Sequence, residues 1–249
     1  DDRATPQPGD GGVVGPGGTA PPDGGDAGTF CQAVGGAVFC EDFEDGPPAS
    51  PYGWDYEENV MDPNVPDAGV TAIVGGVGVS GTRALRVRVS TGPESRKVAL
   101  WKGLGLPLAQ KYTVDFDFKI QDRTLAYVVL AGLAFPQNSG NMPFYGLATY
   151  QPGGGGLAKL DVSSPPGIQS GPAVDAIPGW HHATLTLERQ DGGPRYARKL
   201  VVDGVEVDGN LQIDTRTPTG VELRLGAFFT NLDGGTIEVD FDQIVVRRE

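Results

Sequence analysis

Read for the spacing of its apolar residues, the chain is a succession of short alternating runs separated by turn residues. The clearest run is 112–120, where Val114, Phe116, Phe118 and Ile120 share one side and Asp115, Asp117 and Lys119 the other. A period of two sends successive side chains to opposite faces of a strand, and a polar second set means that one face is wet. Residues 83–89 repeat the pattern, with Leu85, Val87 and Val89 inward and Arg86 and Arg88 outward. Residues 127–135 are apolar at nearly every position, which predicts a strand covered on both faces in the middle of a sheet. In 180–188 the alternation puts His181, Ala183, Leu185 and Leu187 on one face and Trp180, His182, Thr184 and Thr186 on the other. A turn at Asp191-Gly192-Gly193-Pro194 and a return strand ending in the tight Asp203-Gly204 turn complete a hairpin there.

Further strands are predicted at 38–44, 70–74, 98–101, 144–150, 157–162, 197–202, 221–230 and 236–246, giving eleven to thirteen in all. Residues 54–69 and 163–178 read as loops, and no stretch has a sustained 3.6-residue apolar period. The prediction is an all-β fold, a two-sheet antiparallel sandwich. One detail concerns the last strand. Ile237, Val239 and Phe241 keep one parity while Ile244 and Val246 keep the other, so a bulge at Asp242-Gln243 is expected.

Composition changes the picture at the amino-terminal end. Of 249 residues 39 are Gly and 21 Pro, and they are densest in 1–28, where little but Val13-Val14 is apolar. Such a segment cannot bury enough surface to offset its ordering entropy, so it is expected to be a linker or tail, with the folded domain at 29–249. The net charge of −13 argues against nucleic acid and anionic membrane as partners, because both require clustered Lys and Arg. No apolar run reaches membrane-spanning length. Cys31 and Cys40 are the only cysteines, and in an exported chain their spacing reads as a local disulfide. With a first residue other than Met, the expectation is a processed secreted or cell-surface product.

Trp180-His181-His182 opening a strand, followed by a hydrophobic strand into Val202-Asp203-Gly204, resembles laminin G-like and pentraxin-like domains. These belong to the concanavalin A-like lectin/glucanase superfamily, and the resemblance implies a jelly roll. The ordered set of Phe39 to Gly46, Trp54, Val79 to Val87 and Phe241 to Val246 is similar to the framework of jelly-roll carbohydrate-binding modules. That likeness implies that the first and last strands pair. It also implies that Glu44 and Asp242 share one structural calcium ion, with carbonyls near Ser80 or Gly81 as further ligands. Glu41, Asp42, Asp45 and Asp240 offer more oxygens, although acids on edge strands also discourage unwanted pairing.

Signals for catalysis are weak. His181 and His182 point to opposite faces and cannot grip one metal together, and no nucleophile stands in a recognisable elbow. The Glu-x-Asp-x-x-Glu strand of laminarinase-type hydrolases is absent. Asp115 and Asp117, about 7 Å apart on one face, read as solvated strand surface. Residues 144–151 are faintly similar to an alginate-lyase strand, but its partner motifs are missing. The expectation is therefore a chain that is not an enzyme. Its binding residues would be the aromatics Trp101, Tyr127, Tyr145 and Tyr150, rimmed by Gln137, Asn138, Asn141 and Asn231. The function expected is lectin-like binding of an extracellular polysaccharide or glycan by a bacterial surface or secreted protein. The alternatives are a self-assembling subunit of a fibre or surface layer, its tail ordered by neighbours, and a divergent polysaccharide lyase or hydrolase.

Overall fold

The computed structural model describes residues 30–44, 54–60, 69–79, 83–91, 97–105, 108–123, 127–138, 143–150, 159–164, 167–190, 195–214, 218–228 and 235–249. The segment 1–28, the turn at 191–194 and the carbonyls of Ser80 and Gly81 lie outside them. A one-turn helix, α1 (Phe30–Ala33), precedes β1 (Ala37–Glu41), β2 (Tyr56–Val60), β3 (Gly69–Gly75), β4 (Arg83–Thr91) and β5 (Lys97–Gly103). Next come β6 (Lys111–Arg123), β7 (Tyr127–Ala134), β8 (Phe144–Tyr150), β9 (Lys159–Ser164) and β10 (Gly167–Asp175). The chain finishes with β11 (His181–Arg189), β12 (Arg195–Val202), β13 (Val205–Asp214), β14 (Glu222–Phe228) and β15 (Gly235–Arg248).

Two antiparallel sheets form a jelly-roll sandwich. Sheet A runs β13-β12-β11-β6-β15-β4-β3 with β1 added against β15, and sheet B runs β10-β9-β8-β7-β14-β5-β2. The alternating residues read from the sequence meet between them. Leu85, Val87, Val114, Phe116, Phe118, Leu185 and Phe241 from sheet A pack with Leu100, Val128, Leu133, Leu147, Leu223 and Leu225 from sheet B in one interior cluster. Each such side chain removed from water contributes about 1.5–3 kcal/mol, and together they dominate the driving force.

Strand β15 joins the two ends of the chain. Residues 235–241 pair with β4, and beyond them the same edge is taken by β1, with Phe39 opposite Val246 and Glu41 opposite Ile244. The register against β6 shifts between Asp242 and Val245, and Gln243 adopts φ 51°. This is the bulge that the parity change required, and it returns Ile244 and Val246 to the interior. The Cys31–Cys40 disulfide ties α1 to β1, and the Cys31 N–H donates to Asp42 Oδ2 at 3.1 Å.

Three strands differ from the prediction. Residues 56–60 and 167–175 form β2 and β10 where loops were expected, and β13 follows the Asp203-Gly204 turn where no strand was expected. All three lie at sheet edges. An edge strand is hydrogen-bonded on one side only and tolerates polar residues that blur the apolar alternation.

Candidate functional site

The outward face of sheet B carries a second apolar cluster, separate from the interior core. It consists of Ala99 on β5, Val129 and Ala134 on β7, Phe144 and Ala148 on β8, and Phe228 on β14. Phe144 and Phe228 meet edge to face at 5.1 Å, and Trp101 and Tyr127 pack partly buried against the group. The six residues of the cluster are buried, at 2% exposure or less, so what this face shows to solvent is the partly exposed Trp101 and Tyr127. Much of its floor lacks side-chain bulk. Gly132 and Gly146 are paired across β7 and β8, and a Cβ on either would collide with a backbone carbonyl of the neighbouring strand. Gly226, at φ 151°, would collide likewise with the Val98 carbonyl. Glycine is needed at these positions because the strands approach too closely for any side chain.

A charged pair lies on this face. Cross-strand register aligns Trp101, Arg224, Gly132 and Gly146 in a row over four adjacent strands. The Arg224 guanidinium lies over the Trp101 ring at 3.6 Å. Its Nε and Nη2 donate to Glu222 Oε2 at 3.2 and 2.7 Å. The Arg224 side chain is only 5% exposed, against 27% for Glu222. Cation–π contact and the ion pair together fix the guanidinium plane, and both gain strength away from water.

Of the four aromatics read as binding residues, Trp101 and Tyr127 belong to this face. Tyr150 stands in register between Tyr127 and Lys159. Tyr145 is turned the other way, into the interior, where it is 6% exposed and Arg198 lies over its ring at 4.9 Å. Gln137 bridges to Pro218 and Asn138 is exposed, while Asn141 and Asn231 lie outside the described residues. Arg224 and Glu222 were missed. Their only trace in the sequence is a pair of charges at alternate positions of an otherwise apolar strand.

The outward face of sheet A is polar and internally paired. His181 is buried, stacked on Phe118, with Nδ1 against Asp203 Oδ2 at 2.6 Å and Nε2 against the Ile177 carbonyl at 2.8 Å. His182 points outward, its Nδ1 2.8 Å from Asp117 Oδ1, and this hydrogen bond raises its pKa against the opposing effect of burial. Asp117 is not solvated strand surface as expected, being 8% exposed beneath this ring. Asp115 accepts from Thr184 at 2.7 Å and from Arg247 at 2.5 Å. These acids are paired with neighbouring side chains.

The acids expected to share calcium bond to the backbone at Val79 and Arg83. Asp242, 1% exposed, accepts the Val79 N–H at 2.8 Å, and the Gln243 N–H donates to its other oxygen. Glu44 Oε1 accepts the Arg83 N–H at 3.0 Å. Burial pushes the Asp242 carboxyl up to about 7, and the nearby charges of Glu44 and Asp117 add to the rise. Among the described residues, no group of three or more His, Cys, Asp or Glu is arranged to hold a metal. Asp45 lies outside the described residues, which offer the two carboxylates of Glu44 and Asp242 there, and other oxygens would have to complete the six to eight that calcium takes.

No protein-family model matches the chain, and no curated protein sequence does. Its fold is found in solved structures of low sequence identity. A cellulose-induced protein, Cip1, is 17% identical, with TM-score 0.53 over 84% of this chain and 96% of that one. A conserved carbohydrate esterase from Shiga toxin-encoding bacteriophage phi24B is 13% identical, with TM-score 0.54 over 86% of this chain and 98% of that one. An immunostimulatory antigen and pseudo-β-1,3-glucanase of Mycobacterium tuberculosis is 14% identical, with TM-score 0.51 over 86% of this chain and all of that one. The expectation that the chain is not an enzyme is corrected by this result. A carbohydrate esterase has the same scaffold along nearly its whole length, so the fold gives no ground for setting catalysis aside.

Proposed function

We propose that the chain recognises an extracellular polysaccharide along the outward face of sheet B. The observation that carries this reading is the pair of partly exposed aromatics, Trp101 and Tyr127, seated on the second apolar cluster, with Arg224 fixed against Trp101. A sugar chain is a long ligand with apolar C–H faces and polar edges, and it suits a face with aromatic platforms and few fixed polar groups. The carbohydrate esterase and pseudo-glucanase that share the fold support a carbohydrate ligand. Within that fold group, the Trp180-His181-His182 strand favours a laminin G-like arrangement. The Cys31–Cys40 disulfide supports export to an oxidising compartment.

The test is retardation of the protein on gels containing a panel of polysaccharides. The same mixtures are screened for new reducing ends, unsaturated products and released acyl groups. Retardation by at least one polysaccharide is expected, and the product screen determines whether bound chains are also processed. Migration unaltered by every polysaccharide would overturn the reading.

We also propose that Glu44 and Asp242 hold a structural calcium ion. The burial of Asp242 and its elevated pKa support this, because a cation beside it would offset the cost of an ionised carboxylate there. Calcium is expected to raise the melting temperature and EDTA to lower it, an effect absent in Asp242→Asn. A melting curve indifferent to both would remove the proposal.

A further inference from the structure

We propose that Arg224 makes the outward face of sheet B selective for sugar chains bearing a carboxylate or sulfate group; this rests on the polysaccharide reading above. The guanidinium has five N–H donors in a rigid plane. Glu222 takes those of Nε and one of Nη2, and Trp101 covers one face of the plane. Among the described residues, no partner takes the Nη1 donors. In the cross-strand row, the position beyond Arg224 from Trp101 is Gly132, so β7 places no side chain directly opposite Arg224. A permanently charged donor edge is best met by an anionic acceptor, whose hydrogen bonds are about twice as strong as those of a neutral hydroxyl. Glu222 does not already fulfil that role, because it is the more exposed partner and its charge is better screened. The pair leaves the more deeply desolvated cation with Nη1 donors that Glu222 does not take.

The net charge of −13 opposes long-range attraction of a polyanion. Selectivity must then come from this local contact, and Trp101 takes a particular part in it. The guanidinium already lies over its ring, so Trp101 backs the anion site on that side rather than stacking on a sugar there.

The experiment measures binding of the whole chain to polygalacturonate, dextran sulfate and a neutral glucan of similar length. At least tenfold tighter binding of one of the two acidic polymers than of the neutral glucan is expected, and which of them wins identifies the anion. Arg224→Ala should abolish the preference. Arg224→Lys should retain only part of it, since a point charge replaces the fork. Glu222→Gln should tighten acidic binding severalfold, a gain that a purely structural role for the pair would not produce. Near-ultraviolet circular dichroism checks the fold of each variant. Equal binding of neutral and acidic polymers by the native chain would overturn the inference while leaving the polysaccharide reading intact. An undiminished preference in both Arg224 variants would overturn it too. Failure to bind any of the three polymers would overturn both.

Discussion

At the residue scale, what sets the face of sheet B apart is as much the side chains it lacks as those it has. Gly132→Ala places a methyl group against the Tyr145 carbonyl, so β7 and β8 must separate or the register must yield. Overpacking of this kind costs about 1–3 kcal/mol. Chemical denaturation should show that loss, and unchanged stability would mean that the strands are not so closely apposed. A second prediction concerns His182. Its pKa in the folded chain lies above the ordinary 6.5, chiefly through the hydrogen bond to Asp117, with Asp115 and Asp203 adding charge. A group whose folded value is raised stabilises fully below its unfolded value and loses that contribution as pH rises through the folded one. The melting-temperature advantage of the native chain over His182→Gln should therefore be greatest near pH 5 and gone by about pH 9. An advantage equal at both ends would place its origin in packing rather than charge. The residue scale is also where the sequence was least legible. Tyr127, Tyr145 and Trp101 all sit on strands that are apolar on both faces, so alternation gave their relative parity but not which side faced the partner sheet.

At the element scale, strands with one apolar and one polar face were read almost to their ends, β4, β6, β11 and β15 among them. Their period is the direct imprint of a sandwich with one wet side. Strands β2, β10 and β13 escaped notice because an edge is specified by a single neighbour rather than by two. Even the bulge in β15 was visible, since a change of parity within one apolar run has few other causes. The same strand explains the amino-terminal disulfide. Strand β1 holds only the far half of β15's edge, through four residue pairs, and the Cys31–Cys40 bond keeps α1 folded against it. Replacing both cysteines by Ser should lower unfolding free energy by about 2–3 kcal/mol, from the closure of a nine-residue loop. The loss should be reproduced by reduction of the native chain. If neither treatment shifts the denaturation midpoint, β1 docks by packing alone.

At the scale of the whole molecule, the two sheets divide the work. Sheet A closes the chain ends and satisfies its acids internally, through Arg86–Asp240, Arg247–Asp115 and His182–Asp117. Sheet B carries a second apolar cluster on its outward face, with Trp101 and Tyr127 partly exposed and the Arg224 cation fixed beside them. Oxidative footprinting, with and without a saturating polysaccharide taken from the binding panel, tests that division most directly. Protection of Trp101 and Tyr127 is predicted, with His182 and Trp180 labelled as before. Protection of His182 and Trp180, with Trp101 and Tyr127 unchanged, would put the ligand on sheet A and contradict the account.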